Sequence, residues 1–198
     1  AIRFQEIQDG RLALSNFKVV NFPGGYGYGY KLGLAGHEQK IRDFIAAGGG
    51  YYGICAGSFY APATIVWLGR SYDYPLAIYR GQDIGPVDDI APWPQYALTP
   101  VQVSADPVIG NLGRIQQMYY GGGYHTIPSD GAQGAHVTVS ATFGYGGSAA
   151  GQPVVVRFPY GAGHVLMTTT HPEARAGSEE GIMRLAADTL KKVNLETS

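Results

Sequence analysis

The 198-residue chain predicts an α/β domain: a sheet of mixed strand direction with helices on both faces. Three observations carry that prediction. The first third alternates short apolar runs with a helical period, the last third alternates apolar and polar residues around a tight turn, and the chain closes on a capped helical pattern. At 21.1 kDa the chain is long enough for one domain with a sizeable core, and residues 1–198 show no repeat and no linker.

The elements follow in order. Phe17 to Phe22 ("FKVVNF") reads as a buried strand, followed by a Gly/Tyr-rich loop, "PGGYGYGYKLGLAG". His37 to Ala47 has apolar residues at 41, 44 and 45 and Gly48 beyond, a short helix and its stop signal. Tyr51 to Ile54 is a strand that runs into Cys55. The apolar stretch from there to Leu68 opens as a helix that Pro62 kinks or begins. Residues 70 to 98 hold Pro75, Pro86, Pro92 and Pro94 and read mostly as loop around a strand near Leu76–Tyr79. His136 to Phe143 alternates Val137, Val139, Ala141 and Phe143, a half-buried strand. "QPVVVRF" and "GHVLMTTT", joined by "PYGAG", form an antiparallel hairpin. Ser178 to Lys192 is a helix with Ser178 as N-cap, acidic residues in its first turn and lysines in its last.

Composition removes several function classes. Charged residues are 15%, against roughly 25% in an average domain, and the formal net charge is −1 with no basic run. Neither a nucleic-acid groove nor an anionic membrane surface is implied. One cysteine permits no internal disulfide, the five histidines lack metal-ligand spacing, and no apolar run approaches the ~20 residues of a membrane span. No metal and no cofactor is expected. No signal peptide is visible, and low charge with 15 tyrosines would suit an exported protein whose leader preceded Ala1. The compartment stays open between that and the cytoplasm, as does the oligomeric state.

Chemistry is expected at Cys55. "GGYYGICAGSFYA" places it between a strand and a helix, with Gly53 and Gly57 two residues to either side. A nucleophile on such a turn needs strained backbone and neighbours without bulk, and the positive end of the helix would face the sulfur. A thiol also needs a base. "TTTHPEARAG" offers His171 at the end of a predicted buried strand, with Glu173 two residues on to hold its second nitrogen. "FPGG" (22–25) stands at another strand end, where Gly25 with the N–H of Ala56 would make an oxyanion hole. Taken singly, each has a bland reading: a packing cysteine, a surface histidine, a plain glycine turn.

Pro-Gly-Gly, Gly-Ile-Cys-Ala-Gly and His-Pro-Glu in that order resemble the class I glutamine amidotransferase-like superfamily. More narrowly, "FPGG", "IRDFIAAGGGYYGICAGSFYA", "YRGQDIGPVDDI" and "MYYGGGYHTI" resemble the amidotransferase-like domain N-terminal to some biotin–protein ligases. The resemblance spans most of residues 17 to 190. It implies a three-layer α/β/α sandwich, with a flavodoxin-like, mostly parallel sheet and antiparallel hairpin strands near the C-terminus. It also implies a Cys55–His171–Glu173 triad acting on an amide or related carbonyl. No biotin-ligase catalytic region is present, so ligation of biotin is not implied.

Two departures shape the expectation. The family's first strand and helix have no counterpart ahead of Phe22, which implies a shortened or processed N-terminus. Glutamine-using members commonly carry Gln four residues after the nucleophile, where this chain has Phe59. Free glutamine is therefore not the expected substrate. A small-molecule or peptide amide, flatter or more apolar, suits the Tyr- and Gly-rich loops, with Gly24, Phe59 and Tyr124 as substrate-facing candidates. His37, His125, His136 and His164 read as structural or solvated, and Glu38 as a carboxylate from a neighbouring loop. The rival is a non-catalytic binding or regulatory module on the same fold.

Overall fold

Three apolar runs, around Val20, Tyr51 and Val165, lie side by side as parallel neighbours in a seven-stranded sheet. The computed structural model describes residues 2–106 and 112–174. In chain order its elements begin with α1 (Phe4–Gln8), β1 (Val19–Phe22), α2 (Gly27–Gly33), α3 (Glu38–Ala46), β2 (Gly50–Ile54) and α4 (Ala56–Tyr60). Next come β3 (Thr64–Trp67), β4 (Arg70–Asp73), β5 (Asp83–Gly85), β6 (Tyr96–Val103) and β7 (Gly113–Tyr120). The last are β8 (Tyr124–His125), the single turn α5 (Gly131–Gly134), β9 (Thr138–Phe143), β10 (Pro153–Tyr160) and β11 (Gly163–Thr168).

The large sheet runs β1-β2-β11-β10-β9-β6-β7, and a second sheet runs β4-β3-β5-β8. The protein is α/β with mixed sheets, and this corrects the expectation of a mostly parallel sheet. Only β1–β2 and β2–β11 pair in parallel within the large sheet; its other four pairings are antiparallel. The cause is connection length. Parallel neighbours need a crossover, which α2 and α3 supply between β1 and β2, whereas β10 and β11 are joined by a tight turn at Gly161 (φ 61). The described helices are also few and short. The smaller sheet takes up cover that a three-layer sandwich would give to helices, and the expected helix at 178–192 lies outside the described residues.

Period-two alternation sorts the side chains of the large sheet into two cores. Val20, Tyr51, Val156, Val165 and Met167 join Phe59, Ile65 and Tyr79 on one face. Val19, Tyr52, Val155 and Leu166 join Val101, Tyr119 and Phe143 on the other. Val154 and Val155 both fall in the second core because the β9–β10 register shifts there, as a bulge requires.

Two local expectations are corrected, and one element was not expected. "GYGYKLG" is the helix α2 rather than loop. Tertiary packing outweighs the poor helix propensity of its glycines: Tyr30 packs edge-on against Phe22, and its hydroxyl donates to Pro23 O at 2.7 Å. Leu76–Tyr79 is not a strand, because Ala77 takes φ +50 and leaves a single bridge, Pro62 to Tyr79. Leu76, Ile78 and Tyr79 are buried all the same. The long β6–β7 pair was not foreseen, since Pro100 and scattered polar residues hide its alternation.

Gly57 fixes how closely α4 approaches β1: a Cβ there would collide with the carbonyl of Phe22. We expect Gly57→Ala to cost about 2 kcal/mol or more in chemical denaturation. Gly131→Ala, where a Cβ meets nothing within 4 Å, should stay within about 0.5 kcal/mol of the parent.

Candidate active site

Cys55 sits between β2 and α4 with φ 49 and ψ −107, a conformation that costs a non-glycine residue energy and persists only where packing enforces it. Its N–H donates to Thr168 O at 2.8 Å, and its carbonyl accepts from Phe59 N–H at 2.9 Å. The flanking glycines are required sterically, since a Cβ on Gly53 would stand 2.7 Å from Gly57 O. The residue is 7% exposed. In its thiol form Sγ reaches Tyr120 O at 3.6 Å. The helix that follows is five residues long, so the field expected from it is small.

His171 stands three residues beyond the end of β11. Its backbone N–H donates to Met118 O at 2.9 Å, which pins this end of the chain to β7. Its Nδ1 lies 2.7 Å from Glu173 Oε1. The imidazole reaches Gly24 so closely that a Cβ there would lie 2.5 Å from His171 Cε1 and 3.5 Å from Cys55 Cβ. Burial acts to lower the His171 pKa. Hydrogen bonds to Cys55 and Glu173, with the negative charge of each when ionised, outweigh it and raise the value to about 10. The Glu173 carboxylate is partly open to solvent, and Tyr52, buried beside it, is raised first by burial and then by that charge.

A cavity of about 510 Å³ opens over Cys55. Gly25 and Ala56 line it, and Gly25 takes φ 147, in the region that favours glycine. Phe59 lines it too. Gly24 lies beside the histidine, while Tyr124 sits in β8 and packs against the second core, away from the cavity lining. The cavity is also lined by residues that sequence reasoning did not connect to Cys55: Trp67, Tyr72, Tyr74 and Trp93. Glu38 is buried in the first turn of α3, away from the lining.

A second histidine–carboxylate pair lies wholly buried behind α4. His125 and Asp83 face each other across β5 and β8, with Nδ1 2.6 Å from Asp83 Oδ1. Ser58 Oγ donates to Asp83 Oδ2 at 2.6 Å, and His125 Nε2 donates to Val154 O at 3.1 Å. This gives His125 the carboxylate partner that sequence spacing did not reveal, because 42 residues separate the two. The pair ties the helix after Cys55 to both sheets. Its order, serine to carboxylate to histidine, puts the acid between the other two, so it is a brace rather than a proton relay toward Ser58.

Residues 14–81 match the family model described as "Biotin-protein ligase, N terminal". Solved structures match over far more of the chain. A crystal structure of a glutamine amidotransferase superposes with a TM-score of 0.65 at 18% identity, over 90% of this chain and 82% of that one. PurLQS from Thermotoga maritima gives 0.61 at 14%, over 91% and 82%. A beta-galactosidase from Bacillus circulans sp. alkalophilus gives 0.58 at 13% over 90% of this chain, which spans only 23% of that protein. The fold is glutamine amidotransferase-like. At such identities the amidotransferase-like likeness concerns the fold alone. A search of curated proteins with the sequence finds no match.

Two outcomes are expected of this site. The His171 ring should remain protonated through neutral pH and titrate near pH 10 when followed by NMR, with Glu173→Gln lowering the midpoint. Because the folded value is raised, the stability its protonated form contributes is complete below pH about 6.5 and is lost as pH rises through about 10. Asp83→Ala leaves buried His125 and Ser58 without their carboxylate and should cost about 3–5 kcal/mol, read by denaturant titration.

Proposed function

We propose that this domain is a thiol-dependent amidohydrolase in which Cys55 attacks the carbonyl carbon of an amide or related substrate. The observation that carries the reading is the meeting of a strained Cys55 with a His171 whose other nitrogen is held by a carboxylate 2.7 Å away. With Nδ1 turned to Glu173, Nε2 is the nitrogen that exchanges protons with the reacting groups. Sulfur forms a bond to the carbonyl carbon, and the N–H groups of Gly25 and Ala56 receive the developing oxyanion. Collapse breaks the C–N bond, the leaving amine takes the proton from His171, and a thioester remains on Cys55. Water then attacks that thioester, giving a proton to His171 and releasing the acid and the sulfur. Glu173 keeps the ring oriented and stabilises its charge. The likeness to glutamine amidotransferase structures supports the fold in which such chemistry is carried out, and the site residues supply the rest.

Iodoacetamide should alkylate Cys55 in the native protein near neutral pH faster than an ordinary thiol. His171→Ala should slow that reaction and move it to higher pH, and Glu173→Gln should act in the same direction more weakly. Labelling only after unfolding, or identical pH profiles in all three proteins, would reject the hydrolase and leave a ligand-binding module on this fold.

A further inference from the structure

We propose that the cavity over Cys55 takes a substrate whose group beside the scissile carbonyl is an uncharged aromatic ring. This names the substrate class of the site proposed above and rests on that reading. The wall facing Cys55 is built from rings. Phe59 meets Trp67 edge-on at 5.5 Å, Trp67 meets Trp93 at 5.8 Å, and Trp93 tilts against Tyr120 at 5.2 Å. On the other side Tyr26 and Tyr28 meet at 6.0 Å, and both belong to the lining. Tyr26, Tyr28, Tyr72, Trp93 and Tyr120 are exposed although large and apolar, and they gather around one opening. An exposed apolar patch around a reactive group marks a binding surface, and ring faces and edges favour another ring.

Charge decides between an uncharged ring and the two charged alternatives. Among the described lining residues there is no Asp, Glu, Lys or Arg, so neither end of a zwitterionic amino acid finds a partner of opposite sign among them. An aromatic wall can also hold a quaternary ammonium by cation–π attraction. Here Lys31 Nζ already stands 5.7 Å from the centroid of the Tyr74 ring, and the protonated His171 stands at the sulfur end. A ligand cation would meet two fixed positive charges and no carboxylate in the wall. An anion would find no Lys or Arg among the described lining residues to pair with.

The chain supplies its own reporter. It has two tryptophans, Trp67 and Trp93, and both line this cavity. Tryptophan emission should therefore read occupancy directly. In the Cys55→Ala protein, which removes turnover, phenylacetamide at millimolar concentration should quench or shift the emission. Glutamine and benzyltrimethylammonium should need at least about tenfold more, if they act at all. Trp93→Phe and Trp67→Phe should each reduce the phenylacetamide response. An emission change with glutamine or the ammonium ion at lower concentration than with phenylacetamide overturns the inference, and so does silence toward phenylacetamide. Hydrolysis is followed separately in the parent protein. Binding of phenylacetamide without its cleavage keeps the ligand class and defeats the hydrolase, whereas Cys55-dependent release of ammonia from glutamine in preference to phenylacetamide keeps the hydrolase and defeats the ligand class.

Discussion

The site depends on one steric constraint, the positive-φ turn at Cys55. A cysteine does not adopt φ 49 and ψ −107 by preference, so the energy must be supplied by what surrounds it. β2 holds the turn from below through pairing on both edges, and Thr168 O accepts the Cys55 N–H. α4 holds it from above, seated against Phe22 at the one residue, Gly57, that lacks the atom to prevent it. The buried Ser58–Asp83–His125 brace then fixes α4 to the second sheet. Small displacements at any of these contacts would relax the turn and move the sulfur.

The turn was legible in the sequence because its requirements are local. Two glycines at plus and minus two, an apolar run before and small residues after are enough to specify it. His171 and Glu173 were legible for a similar reason, since a short spacing fixes a histidine–carboxylate contact without knowledge of the fold. Legibility fails where the partners are distant. Asp83 and His125 meet only because β5 and β8 pair in the register that sets them opposite each other. Trp67 and Trp93 meet across the cavity from segments that read as a helix continuation and a proline-rich loop.

The fold itself was partly legible. The parallel core of β1, β2 and β11 follows from apolar runs and the closing hairpin, and each edge was placed to within a few residues. The β6–β7 pair and the small sheet were hidden by prolines and by polar residues on half-exposed faces. The glycines of "YYGGGY" permit close approach, and the chain there is wedged, with Gly121 against Trp93 and Gly122 against the carbonyl of Thr169.

The position of β11 has a consequence for how the chain is made. β2 lies between β1, fewer than thirty residues upstream along the chain, and β11, which is more than a hundred residues downstream. During synthesis one edge of the central strand has no backbone partner until Gly163–Thr168 leaves the ribosome. Until then Tyr51, Ile54 and Cys55 belong to an open edge of apolar character, the kind that recruits strands from other chains. Long-range parallel pairing also forms late and slowly. The Cys55 sulfur thus acquires its geometry at the end of folding, and the nascent chain passes through a stage in which its open edge is the strand that leads into the Cys55 turn.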